Sequence, residues 1–319
     1  MSTVTGAASR TGSRAVVATS FGGPEVLQVK EVPEPHADQT QLRVRAAAAG
    51  LNPMDWLVVT DEVLGSAFGV HPPTGFGYDF SGVVDEVGEG VNGFAVGDRV
   101  FGGAMSRAVA DHVLIDPSRD EVLRTPDGVD DATAATLAVA GQTAAAALAA
   151  VGLRDGDTVL IGGAGGGVGV FAVQLARLTG ARVVGTASEG SFDFVASLGA
   201  EPVRYGPGLA DRVRALVPEG ITAAVDLFGT ETAYAALELG VSPERVSTIA
   251  ARDPELAAKA VKAVGGADAG PGTLAHVADL VAHGRLVVPI AARYPIEQVR
   301  EAVSLQAGRH ARGKVVITL

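Results

Sequence analysis

The sequence predicts an α/β chain in which a small antiparallel β-barrel is joined to a doubly wound parallel sheet. Three observations lead there. The first third is a succession of short β-type runs broken at close intervals by Gly, Pro and Asp. From Thr158 onward, short apolar runs alternate with stretches of helical periodicity, a pattern of parallel strands with helices on both faces. At the start of that alternation stands VLIGGAGGGVGVFAVQLA (159–176), with six glycines wedged between two apolar runs.

The barrel strands are RAVVATSF (14–21), LQVKEV (27–32), QLRVRAAAAG (41–50), SGVVDEVG (81–88) and DRVFGG (98–103). Asp130 then precedes DATAATLAVAGQTAAAALAAVG, helical by its alanine content, expected to break in two at Gly141 and to bridge the two domains. TVLI is a strand. Residues 167–179 have helical spacing, with Val170, Val173, Ala176 and Leu178 for a core face and Gly180 as a stop. The strands ARVVGTA (181–187), EPVRY (201–205) and ITAAVDLFG (221–229) alternate with helices at SFDFVASL (191–198), LADRVRALV (209–217) and 231–239. A strand over 244–250 follows. RLVVPI, a helix from about Pro295 and KVVITL return to the barrel style. The expected organisation is a disordered tail over 1–13, a barrel domain from 14–135 and 285–319, and a nucleotide-binding domain over 136–284.

The 319 residues, 47% hydrophobic and 19% charged, suffice for a substantial core. A net charge of -11 argues against a nucleic-acid partner. The absence of cysteine excludes disulfides and thiolate zinc sites. No apolar run reaches the ~18 residues a bilayer requires. The start, MSTVTGAASRTGSR, lacks the apolar core of a signal peptide. A cytoplasmic protein without a membrane partner is expected.

The glycine stretch lies between a short strand and an amphipathic helix, the context in which such a turn binds a dinucleotide. Ala164, Gly166 and Gly169 give the frame AxGxxG. The middle glycine admits a pyrophosphate to the backbone, and the last lets helix and strand pack closely. The amides of Gly166, Gly167 and Val168, beside Gly165, would point at the phosphates, helped by the helix dipole. An acid about twenty residues beyond the turn would bind the ribose of NAD; here that place reads Thr186, Ala187, Ser188. Thr186 and Ser188 leave room for a 2′-phosphate and can donate to it, which favours NADPH, although both residues also suit a cap for the next helix.

GVVDEVGEGVNGFAVGDRVFG (82–102), AGQTAAAAL (140–148), GDTVLIGGAGGGVGVFAVQLARLTGARVVGTAS (156–188), SLGAE (197–201) and HARGKVVITL (310–319) together resemble the medium-chain dehydrogenase/reductase superfamily, and within it the zinc-independent quinone oxidoreductase branch. The resemblance implies a GroES-like barrel built from both chain ends, a Rossmann domain between them, and a homodimer formed through a sheet edge; RVSTIAA (245–251) reads equally as that edge or as an internal strand. Zinc-dependent relatives carry ligands where this chain has Asn52 and Tyr78, which cannot supply the thiolate and imidazole that tetrahedral zinc prefers, so no metal is expected. His36, His112, His276 and His283 read as solvated surface residues.

Without a metal to polarise an alcohol, the chemistry left is hydride donation from NADPH to a quinone or an alkene conjugated to a carbonyl, which needs hydrogen bonds to a developing oxyanion. The resemblance makes Asn52 the leading donor and Tyr78 the second, with Asp55 fixing the loop. Asn52-Pro53 also reads as a turn initiator, and Tyr78 as core; His71 and Trp56 suit either pocket or packing. The resemblance further places Thr143, Tyr205, Phe228, Gly229, Ile249, Ala250 and Lys314 near the cofactor. Many relatives have a 2′-phosphate lysine where this chain has Ser191. The competing functions are an enoyl reductase of a biosynthetic pathway and a non-catalytic NADPH-binding sensor.

Overall fold

A computed structural model describes residues 12–249 and 253–319. Of the expected tail, residues 1–11 lie outside the described residues, and Ser13 already opens the first strand. In chain order the elements begin with β1 (Ser13–Ala18), β2 (Leu27–Val32), β3 (Leu42–Leu51), α1 (Pro53–Thr60), α2 (Glu62–Ala67), β4 (Thr74–Gly75), β5 (Asp79–Val87), β6 (Arg99–Gly103), β7 (His112–Ile115) and β8 (Glu121–Arg124). Then come α3 (Asp131–Ala134), α4 (Ala138–Ala150), β9 (Thr158–Gly162), α5 (Gly169–Leu178), β10 (Arg182–Ala187), α6 (Phe192–Ser197), β11 (Glu201–Arg204), α7 (Leu209–Leu216), β12 (Ala223–Asp226) and α8 (Glu231–Glu238). The chain finishes with β13 (Val246–Thr248), α9 (Pro254–Ala258), β14 (Lys262–Ala263), α10 (Thr273–Ala282), β15 (Ile290–Pro295), α11 (Val299–Ala307) and β16 (Lys314–Thr318).

Two sheets of mainly antiparallel strands form the barrel side. One has the order β2-β1-β4; the other runs β15-β16-β3-β5-β6-β8, with β7 also paired to β3. The C-terminal strand β16 lies antiparallel to β3, pairing Val316 with Gly50, so the chain's last residues close the sheet that its first third opens. The remaining strands make one parallel sheet of order β11-β10-β9-β12-β13-β14. The sequence order reverses between β9 and β12, and a crevice at the carboxyl ends of such neighbours is where this architecture binds ligands.

Both faces of the parallel sheet are covered at its centre, where β9 and β12 are buried along their whole length. Val159, Ile161, Val183 and Val225 pack beneath α4, α5 and α10, while Leu160, Val184 and Ala224 face α7 and α8. A separate core fills the barrel around Val16, Val44, Phe80, Val100 and Ile317.

Several local expectations change. The alanine-rich helix breaks at Ala135–Leu137, and Gly141 sits inside α4, where an added Cβ would lie 2.9 Å from Val277 of α10. Helix contact selects glycine there, not a break. RLVVPI is not a strand; β15 starts only at Ile290. ITAAVDLFG stops being a strand at Asp226, whose carboxylate accepts from the amides of Phe228, Gly229, Thr232 and Ala233 and so turns the chain into α8. Of the two readings of the strand within 245–251, the internal one holds, because β13 is flanked by β12 and β14. His112 is not solvated: it is half-buried, with Nε2 3.6 Å from Asp85. No helix among the described residues is long and apolar enough to cross a membrane.

Candidate active site

The glycine turn is built by contacts that a side chain would break. Gly163 adopts φ +69°, a conformation glycine takes at no steric cost. An added Cβ at Gly169 would lie 2.2 Å from the Gly163 carbonyl oxygen and 2.6 Å from the Ala164 carbonyl carbon. The turn is tied to β10 by Thr186, whose Oγ1 accepts from the Gly163 amide at 3.0 Å and whose carbonyl accepts from the Ala164 amide. The Gly166 amide is occupied by the Gly163 carbonyl at 3.0 Å. The amides of Gly167 and Val168, at the N-terminal end of α5, make no hydrogen bond among the described residues. Two free donors at a helix N-terminus suit a pyrophosphate.

Against this turn runs the segment leading into β16. The Gly313 amide donates to the Gly165 carbonyl at 3.0 Å. A Cβ on Gly167 would be 3.3 Å from Cδ of Lys314. The Lys314 side chain then passes inward, only 2% exposed, and its ammonium donates to Asn52 Oδ1 at 2.5 Å and lies 3.8 Å from Asp79 Oδ2. Asn52 Nδ2 donates to the same Asp79 oxygen at 3.0 Å. The other Asp79 oxygen accepts from the Val139 amide at the start of α4, which fastens the barrel to the helix under the parallel sheet. Asp55 completes the group: its Oδ2 accepts from the Asn52 amide at 2.7 Å and fixes the entry into α1.

Two carboxylates and one ammonium are thus sealed together. Burial, followed by the charge of Asp79, pushes the Asp55 carboxyl up to about 7. Burial also raises Asp79 and lowers Lys314. Tyr78, immediately before β5, is half-buried, and its ring blocks the space beside Gly103. Its hydroxyl makes no hydrogen bond among the described residues, and burial, with the charges of Asp79, Glu121 and Asp120, pushes it up to about 12. It stays protonated at neutral pH and is a standing donor.

A family profile described as the alcohol dehydrogenase GroES-like domain matches residues 38–144, and one described as zinc-binding dehydrogenase matches residues 198–317. The quinone oxidoreductase of Sus scrofa is 32% identical over 241 residues, covering 73% of this chain and 72% of that protein. The chain belongs to the quinone oxidoreductase branch of the medium-chain dehydrogenase/reductase family. Members of this branch in other organisms match over less of their length: the Pseudomonas aeruginosa quinone oxidoreductase is 35% identical over 176 residues, 53% of this chain and 51% of its own. A trans-enoyl reductase of Alternaria alternata is 34% identical over 207 residues, 60% of this chain and 57% of its own. Among solved structures, the quinone oxidoreductase from Coxiella burnetii superposes with a TM-score of 0.85 at 28% identity, covering 97% of this chain and 99% of that one. A mycobacterial protein solved in complex with NADPH gives 0.82 at 26% identity, covering 96% and 100%.

In this quinone oxidoreductase relative the structure brings Asn52, Asp55, Lys314 and the glycine turn together. It corrects three expectations. The Asn52 side-chain amide is not a free donor: its Nδ2 donates to Asp79 and to the Gly50 carbonyl, and its Oδ1 accepts from Lys314. The Gly166 amide is spent inside the turn. Thr186 is buried and anchors the turn, leaving Ser188, whose Oγ donates to Ser191 Oγ at 3.1 Å, at the surface. Thr143 is buried on α4, where a Cβ on Gly266 would be 3.3 Å from its Oγ1. Ile249 donates its amide to the Asp226 carbonyl. Tyr205 and Phe228 are exposed, and the Arg309 guanidinium stacks 4.9 Å above the Phe228 ring. Ala250 lies outside the described residues. Sequence reasoning missed Asp79; the signal was a carboxylate inside the otherwise apolar strand start GYDFSGVV.

The quartet makes a pH prediction. The folded-state value of Asp55, about 7, lies above its ordinary 3.8, so folding favours the protonated acid. Its stabilising contribution is full below about pH 4 and is lost as pH rises through about 7. Urea unfolding of wild type and Asp55→Asn across this window should show their stability difference shifting against wild type by about 1.4 kcal/mol per pH unit. A difference that stays flat with pH would mean that Asp55 is ionised throughout.

Proposed function

We propose that the chain is an NADPH-dependent oxidoreductase that passes hydride to a quinone or similar electron-poor acceptor without a metal ion. The observation that carries this is the meeting of the free-amide glycine turn and the buried quartet at Gly167 and Lys314. NADPH, when bound, supplies the hydride. Gly167 and Val168 would hold its pyrophosphate at the positive end of α5. Tyr78 donates from its protonated hydroxyl to the acceptor oxygen as negative charge develops there. Asn52 is a positioning residue, because its amide is committed to Asp79 and Lys314. With the hydride supplied by bound NADPH, the acceptor's balancing proton would come from solvent. The donor set supports a metal-free reading: Lys314 already supplies the cation for the Asp79 carboxylate. A homodimer belongs to the proposal, with β14 as the sheet edge that would face a second copy.

The preference for a quinone draws on the Sus scrofa and Coxiella relatives, and the preference for NADPH on the mycobacterial complex and the absence of an acid at Thr186 to Ser188. The Alternaria relative supports a second reading, reduction of an enone. Following NADPH absorbance with a simple quinone and, separately, with an enone tests both. Consumption with the quinone is expected. Turnover with the enone alone would replace the quinone by an alkene, and tight NADPH binding without turnover of either would leave a non-catalytic nucleotide binder.

A further inference from the structure

The 2′-phosphate of NADPH needs cations, and the position of Ser191 offers none. Two arginines from elsewhere in the chain converge on the same loop. β10 ends at Ala187, and residues 188–191 form the turn beyond it. In the parallel pairing of β10 with β11, Ala187 lies opposite Arg204, whose Nη1 reaches Glu189 Oε1 at 3.5 Å. From the other side, Arg312 crosses from the segment before β16 and donates from Nη2 to the Gly190 carbonyl at 2.5 Å. Both guanidiniums are exposed. The same loop carries the hydroxyls of Ser188 and Ser191, which bond to each other at 3.1 Å.

We propose that Arg312 and Arg204, with Ser188 and Ser191, form the 2′-phosphate subsite of this chain. This rests on NADPH being the cofactor. Arg312 uses one guanidinium hydrogen bond on Gly190 and keeps further donors in a planar fork suited to a phosphate. The contact of Arg204 with Glu189 joins two exposed side chains, a type of pair worth little in water, so a dianionic phosphate can displace the carboxylate. Arg312 and Lys314 are two residues apart on one segment, and Gly313 between them is bonded to the glycine turn. The same short stretch therefore touches the loop beyond β10, the pyrophosphate turn and the buried quartet, and it couples recognition of the phosphate to the placement of Lys314.

Calorimetric titration of the purified full chain with NADPH, NADH and 2′,5′-ADP tests this without turnover. Wild type should bind NADPH at least about 10-fold more tightly than NADH. Arg312→Gln and Arg204→Gln should each weaken NADPH and 2′,5′-ADP about 10-fold, leave NADH near its wild-type affinity, and flatten the salt dependence of NADPH binding. NADH affinity serves as the check that each variant is folded. If wild type prefers NADPH and both variants keep that preference in full, the phosphate is held elsewhere and the inference fails. If wild type shows no preference between the cofactors, the NADPH reading fails and takes this subsite with it.

Discussion

Lys314→Met is expected to destabilise the fold by about 3–5 kcal/mol, because it removes the only ammonium from a sealed group containing two carboxylates. Asp79 is fully buried and Asp55 nearly so, and neither has water to replace the lost charge. Asn52 Oδ1 also loses its donor. Urea unfolding measures the loss. The double variant Asp79→Asn/Lys314→Met should recover a large part of it, since a neutral amide still accepts from Val139 and no longer needs a cation. A lysine substitution that costs less than about 1 kcal/mol would place the ammonium outside the quartet's energetics. So would a double variant no better than the single.

Gly169→Val should raise the Kd for NADPH by at least about 100-fold. The introduced Cβ would overlap backbone atoms of Gly163 and Ala164, which cannot rotate away as a side chain can, so the turn must open and its two free amides lose their alignment. Replacement of Gly166 gives a useful contrast. A Cβ there meets only the Gly163 carbonyl oxygen, at 3.3 Å, so a bulky residue would intrude on the ligand's side of the turn. Gly166→Val should weaken binding with little change in Tm, whereas Gly169→Val should lower both. Equal NADPH affinity in Gly169→Val and wild type would separate the turn from cofactor binding.

Much of this was legible in the sequence because strand and helix have different periods, and because glycines placed between a strand and a helix have few other uses. The alternation after Thr158 gives the parallel sheet, and AGGGVG gives the turn. What was hidden depends on contacts distant in the chain. Lys314 and Asn52 are separated by 262 positions, and no local pattern says that their side chains meet. Asn52 looked like a free donor because its partner Asp79 sits on β5, 27 positions away. Thr186 looked like a phosphate donor because the sequence does not reveal which way a strand-end hydroxyl faces; here it faces the turn. Gly141 looked like a helix breaker because the packing of α10 against it is invisible in one dimension. The helices α1 and α2 escaped notice for a related reason: they are short, and only Asn52 and Asp61 at their entries, with Pro53, mark them.

As proposed, the glycine turn and the Asn52–Asp79–Lys314 group serve one hydride-transfer site. NADPH deuterated at the transferred position of C4, mixed with the protein and a quinone or an enone, tests it most directly. The acceptor should be reduced only in the presence of the protein, the deuterated cofactor should react several-fold more slowly, and with the enone the label should appear on carbon in the product. NADPH bound at full occupancy but never consumed, with no label in any acceptor, would contradict it.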